Sequence, residues 1–252
     1  MKVAGSTAIV TGGNRGIGES FVRCLLDAGA ERVYVGTRRL EGAAHLAGDY
    51  PDRAIPVELD VTRDEQVAAA AASCGDTSIV INNAGAFHDL TLIGAPDMTA
   101  ARDEMEVNYF GVLSMCRHFA PVLASNGGGS IINVLSAAAI VPIPNMGGYS
   151  PAKFAARALT TSVRAELADQ GTHVGCLIVG SIDTRMAAHV EGRKEPPETV
   201  ARAGIKAIEH DISEMDTDAF AVNVRAALAR DPGRMEKQMA ALLKAETLNT
   251  GR

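Results

Sequence analysis

The sequence predicts an α/β fold, a single-domain doubly wound parallel sheet of about seven strands with helices on both faces. Short apolar runs rich in β-branched residues alternate with longer segments of helical character, as in βαβ units. Glycine and polar residues follow directly after several of the apolar runs, as they do at the ligand-binding edge of such a sheet. The chain has 252 residues, 47% of them hydrophobic, which is enough for one large core, so residues 1–252 are expected to form one domain.

The strand and helix predictions follow from residue type and periodicity. The predicted strands are residues 7–11, 32–36, 54–59, 78–81, 130–135 and 173–179, with a last strand-like piece near 219–222. The predicted helices are residues 19–28, 63–72, 101–124, 149–168 and 197–209, and further helices are expected in 218–243.

A glycine-rich loop follows the first strand and precedes the first helix. It contains Gly12, Asn14, Arg15, Gly16, Ile17 and Gly18. The order strand, glycine loop, helix brings the free backbone N–H groups of a helix N-terminus close to a pyrophosphate. The spacing Gly-x-x-x-Gly-x-Gly differs from the Gly-x-Gly-x-x-Gly fingerprint, but its place after the first strand still predicts dinucleotide binding.

The end of the second strand predicts which dinucleotide is bound. An acidic residue there would hold the ribose 2′-hydroxyl of NAD, but the chain has Thr37, Arg38 and Arg39. A guanidinium suits a phosphate, and Arg15 in the glycine loop adds a second positive charge. These residues favour NADP as the cofactor, and the alternative is that they are solvated surface arginines.

Tyr149 and Lys153 lie four residues apart on a predicted helix, so their side chains share one face. An ammonium near a phenol favours the phenolate and makes the phenol a general acid that works near neutral pH. A surface tyrosine and lysine on an ordinary helix are the alternative. That alternative is less favoured because residues suited to binding and catalysis collect at one edge of the predicted sheet. Those at or just after predicted strand ends are Gly12, Arg38, Asp60, Asn82, Ser136 and Gly180.

Together these motifs resemble the compact type of the short-chain dehydrogenase/reductase family, over residues 2–185 most strongly. The residues that carry the resemblance are the Thr11–Gly12 to Gly18 loop, the segment Asn82-Asn83-Ala84-Gly85, and the set Asn108, Ser136, Tyr149 and Lys153. The resemblance implies a Rossmann fold. One departure is Val179-Gly180, where the family usually has Pro-Gly, and this loop is therefore expected to be less rigid.

The resemblance implies a catalytic role for four residues. Tyr149 would exchange a proton with the substrate oxygen, Ser136 would hydrogen-bond that oxygen, Lys153 would lower the tyrosine pKa and hold the nicotinamide ribose, and Asn108 would anchor a water relay. The implied cofactor contacts are Gly12, Asn14, Arg15, Gly16, Ile17, Gly18, Thr37, Arg38, Asp60, Val61, Asn82, Ala84, Gly85, Tyr149, Lys153, Gly180, Ile182 and Thr184. Asn108 and Ser136 have local structural alternatives, a bond to a nearby carbonyl and a turn cap.

Composition limits the other partners. The formal net charge of −6 argues against nucleic acid and anionic membranes. Four scattered cysteines and six histidines show no ligand spacing, so no metal and no disulfide framework are predicted. No apolar run is long enough for a membrane helix, and we expect a cytoplasmic protein. The resemblance also implies a homotetramer or homodimer.

The predicted function is reduction of a hydrophobic ketone, or oxidation of the alcohol, with NADP. The segments expected to line the substrate pocket are mainly apolar, with Ala86, Phe87, Ala137, Ala138 and residues 142–146. One alternative is a 3-oxoacyl thioester reductase of the same family, which would need a basic surface for an acidic carrier protein. The other is a non-catalytic dinucleotide-binding sensor, against which the intact Ser136, Tyr149 and Lys153 argue.

Overall fold

The computed structural model describes residues 1–188, 192 and 194–250. Its centre is a parallel sheet of seven strands in the order β3-β2-β1-β4-β5-β6-β7. The strands are β1 (Thr7–Thr11), β2 (Arg32–Thr37), β3 (Ala54–Glu58), β4 (Ile79–Asn82), β5 (Gly129–Val134), β6 (Thr172–Ile178) and β7 (Glu214–Asp216). The sheet confirms the predicted doubly wound α/β fold, and six of the seven strands lie within a residue or two of their predicted positions.

The strand order reverses between β1 and β4. The chain moves outward from β1 to β2 and β3, then returns to pair β4 with the other side of β1 in the register Val10↔Ile81. The carboxyl ends of these two strands are therefore neighbours with no helix between them. In open α/β sheets ligands bind at such a reversal point.

Helices cover both faces of the sheet. They are α1 (Gly16–Asp27), α2 (Ala44–Asp49), α3 (Asp64–Ser73), α4 (Thr99–Met105), α5 (Gly111–Ser125), α6 (Tyr149–Glu166), α7 (Pro197–Glu209), α8 (Ala219–Arg230) and α9 (Pro232–Thr250). None of these helices, over the residues that the structure describes, is long and apolar enough to cross a bilayer.

The two faces of the sheet carry separate apolar cores, because alternate strand residues point to opposite sides. On one face, Val10 packs with Phe21 of α1 and Val200 of α7. The helices α1 and α7 approach closely because a Cβ on Gly204 would overlap the Phe21 ring. On the other face, Ile9 packs in a cluster that includes residues of α3, α5 and α6.

The single helix predicted over 101–124 is interrupted. A π-helical segment, Glu106–Phe110, separates α4 from α5. At the start of α5 a Cβ on Gly111 would lie only 2.7 Å from Cγ2 of Val61, so the glycine allows the helix to pass close to the end of β3. Hydrophobic periodicity does not separate a π-bulge from a regular helix, which is why the sequence did not show it.

The strand expected near residues 219–222 was wrong. These residues begin α8, where Phe220 and Val222 are each 50% exposed, and the last strand is β7, with the polar sequence Glu-Met-Asp. The carboxylate of Glu214 pairs with Arg157 at 2.7 Å and with Arg225 at 2.8 Å, and Asp216 pairs with Arg225 at 2.7 Å. A short charged edge strand of this kind carries no apolar alternation to detect.

Asp218 joins the start of α8 to the loop after β6. Its Oδ1 accepts a hydrogen bond from the backbone N–H of Ala221 at 3.0 Å, and its Oδ2 accepts one from Gly180 at 2.7 Å. We expect Asp218→Ala to lower the free energy of unfolding by about 2 kcal/mol, since it removes a helix cap and leaves the Gly180 N–H without its partner.

Thermal and denaturant unfolding measure this effect. The matched control is Asp231→Ala, which removes an exposed cap that accepts from the N–H of Arg234 at 2.9 Å and holds no second loop. We expect a smaller decrease for the control. Equal decreases for the two variants would show that the bond to Gly180 contributes nothing to stability.

Candidate active site

The glycine loop forms a cradle at the end of β1. Gly12 and Gly16 have φ values of +61° and +55°, in the left-handed region that favours glycine. A Cβ on Gly18 would overlap the carbonyl oxygen of Gly12, so only glycine permits this close approach. Arg15 precedes α1 without a side-chain cap, and the first N–H groups of the helix remain available to an anion. The residues present therefore fit a dinucleotide pyrophosphate.

Thr11 and Asn83 hold this cradle against the end of β4. The Thr11 hydroxyl oxygen accepts from the backbone N–H groups of Asn83 at 2.9 Å and Ala84 at 3.0 Å. The Asn83 side chain donates to the carbonyl oxygens of Thr11 at 2.9 Å and Gly12 at 3.3 Å. Neither residue was among the predicted site residues, although both stand inside the motifs, directly beside Gly12 and Ala84.

Arg15 and Arg38 are exposed beside the cradle and the end of β2. Neither guanidinium has a hydrogen-bond or ion-pair partner among the residues that the structure describes. The buried Thr37 donates its hydroxyl to the carbonyl oxygen of Arg39 at 3.1 Å and so closes the turn that carries Arg38. Asn14 lies against this turn, with Nδ2 3.0 Å from the position of a Cβ on Gly42.

The residues predicted to bind the cofactor beyond the ends of β3 and β4 differ in where their side chains point. Asp60 remains near the surface, where its carboxylate accepts from the N–H and hydroxyl of Thr62 at 3.0 and 2.8 Å, and Val61 is 7% exposed. The Asn82 side chain instead points into the fold and donates to Asn133 Oδ1 at 2.8 Å. Its predicted cofactor contact is therefore limited to its backbone.

Three of the four predicted catalytic side chains meet beyond the carboxyl end of β5. Ser136 follows β5, and its hydroxyl oxygen accepts from the N–H of Ala138 at 3.1 Å. The Tyr149 side chain at the start of α6 lies beside the Ser136 side chain. Lys153, one turn later, is 5% exposed and donates to the carbonyl oxygen of Val134 at 3.0 Å. Its Nζ lies 5.5 Å from the centroid of the Tyr149 ring.

The titration of this pair differs from the expectation that Lys153 lowers the tyrosine pKa. Burial raises the pKa of Tyr149 to about 12; the hydrogen bond with Ser136 acts in the opposite direction, and the charge of Glu104 raises the value further. Burial also lowers the pKa of Lys153 to about 8. Desolvation is the largest effect on both groups, and the phenol is protonated at neutral pH.

Asn108 lies in the π-helical segment and is fully buried. Its Nδ2 donates to the carbonyl oxygens of Ala86 at 2.9 Å and Glu104 at 2.8 Å, so the side chain does make the local carbonyl bond of the structural alternative. Its Oδ1 is also buried and accepts no hydrogen bond from the described residues. A buried acceptor of this kind fits an ordered water molecule, and π-bulges are frequent at functional sites.

The loop after β6 is held firmly despite the missing proline. Gly180 is bonded to Asp218, and the carbonyl oxygen of Val179 accepts from the N–H of Ala137 at 2.8 Å. Ile182 is buried in the core, and Cγ2 of Thr184 lies 3.5 Å from the position of a Cβ on Gly16. Thr184 therefore lies beside the start of α1. Sequence reasoning missed Asp218, for which the only signal was an aspartate ahead of a helix.

The substrate side of the site is partly apolar. The Phe87 ring packs edge-on against Tyr149, with centroids 5.3 Å apart at 69°. Cε of Met186 lies 3.8 Å from the position of a Cβ on Gly85. Ala137 and Ala138, which were expected in the pocket, are buried within the fold instead. Among the described residues, no group of three or more His, Cys, Asp or Glu side chains is placed to hold a metal ion.

Comparison with known proteins identifies the family. A family model described as short chain dehydrogenase matches residues 6–195. A 3-alpha-(or 20-beta)-hydroxysteroid dehydrogenase from Mycobacterium bovis is 33% identical over 189 residues, 73% of this chain and 72% of that protein. A cis-4-hydroxycyclohexanecarboxylate dehydrogenase from Sinomonas cyclohexanicum is 31% identical over 245 residues, 90% of this chain and 95% of that protein.

A solved structure is similar over nearly its whole length. The crystal structure of a short chain dehydrogenase from Burkholderia cenocepacia in complex with NADP is 40% identical, with a TM-score of 0.90 over 95% of this chain and 99% of that chain. The matched region contains the glycine cradle and the Ser136, Tyr149 and Lys153 group. The chain therefore belongs to the short-chain dehydrogenase/reductase family of oxidoreductases that use a nicotinamide dinucleotide.

Proposed function

We propose that this protein is an NADP-dependent oxidoreductase that interconverts a hydrophobic ketone and its secondary alcohol, and that it acts mainly as a carbonyl reductase. The observation that carries the proposal is the meeting of Ser136, Tyr149 and the buried Lys153 beyond the end of β5, with Nζ of Lys153 5.5 Å from the centroid of the Tyr149 ring. This group lies at the same sheet edge as the glycine cradle. A dinucleotide-binding protein without turnover would need the cradle but not these three side chains.

Each residue has a separate role at the substrate oxygen. The Tyr149 hydroxyl donates its proton to the carbonyl oxygen during reduction and takes it back during oxidation. The Ser136 hydroxyl bonds the same oxygen and fixes its position. Lys153 holds a positive charge close to the phenol, and Oδ1 of Asn108 anchors a water that resupplies the proton.

The cradle would hold the cofactor through the start of α1, with Gly180, Ile182 and Thr184 at the nicotinamide side. When bound, the nicotinamide supplies or accepts the hydride. The guanidinium groups of Arg15 and Arg38, which have no partner among the described residues, support NADP over NAD, since no carboxylate stands at the end of β2. The NADP complex of the Burkholderia cenocepacia protein supports the same choice.

The proposed substrate is an apolar cyclic ketone or alcohol. Phe87 and Met186 offer apolar surface next to Tyr149 and Gly85. The names of the two curated relatives both describe hydroxyl compounds that contain a carbocyclic ring, a steroid and a cyclohexanecarboxylate. A 3-oxoacyl thioester attached to an acidic carrier is less suitable, because the chain itself has a net charge of −6.

The assembly proposed for this single-domain enzyme is a homodimer or homotetramer. Phe110 and Phe154 are 46% and 37% exposed; Phe110 directly precedes α5 and Phe154 lies on α6. Large aromatic side chains at such positions suit burial against another subunit. A monomeric sedimentation mass would contradict this part of the proposal.

The first prediction concerns Tyr149→Phe. We expect kcat for ketone reduction with NADPH to fall by about 10²- to 10⁴-fold, because the variant has no proton to donate, while the NADPH dissociation constant stays the same. Steady-state kinetics and fluorescence titration measure the two quantities. The control is Tyr50→Phe, which removes a surface hydroxyl bonded to Asp27 and should leave kcat unchanged. Binding without turnover by the wild type, across ketones and alcohols, would favour the sensor alternative.

A second prediction tests the cofactor. Arg38→Ala should weaken NADPH binding by about tenfold and leave NADH binding unchanged, because only NADPH carries the 2′-phosphate. The control Arg63→Ala removes an exposed arginine that pairs with Glu65 and should change neither affinity. An equal effect of Arg38→Ala on both cofactors would refute the assignment of this arginine to the phosphate.

A third prediction follows from the lowered pKa of Lys153. The value of kcat/KM for ketone reduction should be level near neutral pH and should fall above about pH 8, because Lys153 then loses its charge while Tyr149 keeps its proton. In Lys153→Met the remaining activity should be lower and should show no break near pH 8. A wild-type profile that stays level to pH 10 would mean that this charge is not required.

A further inference from the structure

Glu104 is a carboxylate in the wall of the active site that the proposed mechanism does not use. It belongs to α4, one turn before Asn108, and is 2% exposed. It forms no ion pair with any residue that the structure describes. Removing a charge from water without a counter-ion is costly, and such groups are retained where hydrogen bonds compensate.

Two separate segments contact the Glu104 carboxylate. The N–H of His88, in the loop after β4, donates to Oε1 at 2.8 Å. Gly148, the residue before Tyr149, lies directly against the other oxygen, Oε2. The carbonyl oxygen of Glu104 in turn accepts from the Asn108 side chain at 2.8 Å.

Gly148 shows how closely the Glu104 carboxylate approaches the start of α6. Its φ of −77° and ψ of −25° are ordinary helical values, so backbone conformation does not require glycine there. Space does require it, because a Cβ would lie 2.5 Å from Oε2 of Glu104 and 2.5 Å from the Cα of Ala101. The start of α6 is thus packed directly on α4 through this contact.

We propose that Glu104 is a positioning residue that ties the Phe87–His88 wall and the start of α6 to the helix carrying Asn108. It thereby fixes Tyr149 between the substrate and the Asn108 side chain. This inference rests on the proposed oxidoreductase function, since positioning has a catalytic consequence only if Tyr149 transfers a proton.

The Glu104 carboxylate also affects the pKa of Tyr149, which gives the proposal a second measurable consequence. The charge of Glu104 contributes to the raised pKa of Tyr149. Burial is the largest effect on the pKa of Glu104 itself, and it raises that pKa. The N–H of His88, the His88 side chain and the N–H of Gly148 lower it, and the charge of Asp103 raises it. The His88 ring is paired with Asp103 at 2.6 Å. Neutralising Glu104 therefore disturbs the position of Tyr149 and makes its phenol more acidic.

The experiment compares Glu104→Gln with Glu106→Gln, an equal charge change at an exposed position two residues along the same helical stretch. In Glu104→Gln the amide NH₂ replaces one of the two carboxylate oxygens, either at the N–H of His88 or against Gly148, so one of the two contacts is lost. We expect kcat for ketone reduction to fall by about 10- to 100-fold while NADPH affinity is unchanged. In the alcohol-oxidation direction the acid limb of the pH profile should move to lower pH. The control should behave as wild type in all three measurements.

Hydrogen exchange supplies a readout that does not depend on activity. The amide of His88 should be protected in the wild type, and Glu104→Gln should lose that protection. Rapid exchange of this amide in the wild type would overturn the inference, whatever the behaviour of the variant.

The two proposals fail in different ways. If the wild type reduces ketones but Glu104→Gln has unchanged kcat, pH profile and exchange, the positioning role is wrong and the oxidoreductase function stands. If no ketone or alcohol is turned over while the exchange pattern is as expected, the contact exists and the proposed function is wrong.

Discussion

A sheet in which all seven strands are parallel brings every strand end to one edge, and the site depends on this constraint. The reversal of strand order leaves the ends of β1 and β4 adjacent, and the bonds between Thr11 and Asn83 join them. Because the cradle is attached to β4 as well as β1, the cofactor side of the site cannot move independently of the segment that leads to Asn108. The two halves of the site are therefore set by one backbone framework.

The edge is lined with buried polar groups, and most of them have partners that restrict their movement. Asn82 donates to Asn133, which donates to Thr160 at 2.8 Å, and this chain of bonds fixes β4 and β5 against α6. Lys153 is bonded to the carbonyl oxygen of Val134. Partnered polar groups specify one arrangement more strongly than apolar packing does. The buried Oδ1 atoms of Asn82 and Asn108 accept no hydrogen bond from the described residues, and the proposed water relay accounts for that of Asn108.

Sequence reasoning performed well where a function needs a fixed residue type. The positions of Gly12, Gly16 and Gly18 require glycine for backbone or space, so these residues were visible in the chain. It performed poorly where a residue acts through tertiary contacts. Asp218 is an ordinary helix cap in sequence, and only the fold brings its second oxygen to Gly180. The same holds for the pKa of Tyr149, since the desolvation that raises it depends on packing that no local pattern encodes.

In the proposed mechanism, exposed charges bind the cofactor phosphate and buried charge acts on the phenol of Tyr149. Arg15 and Arg38 stay in water, where attraction to a phosphate is screened beyond about 10 Å at moderate salt, so their proposed part in selecting NADP would not affect the phenol. Glu104 is buried, and its charge raises the pKa of Tyr149. Burial of the phenol acts in the same direction, and the hydrogen bond with Ser136 opposes both. In the proposed mechanism the proton affinity of Tyr149 is therefore set inside the fold, and cofactor choice by surface residues that can change without disturbing it.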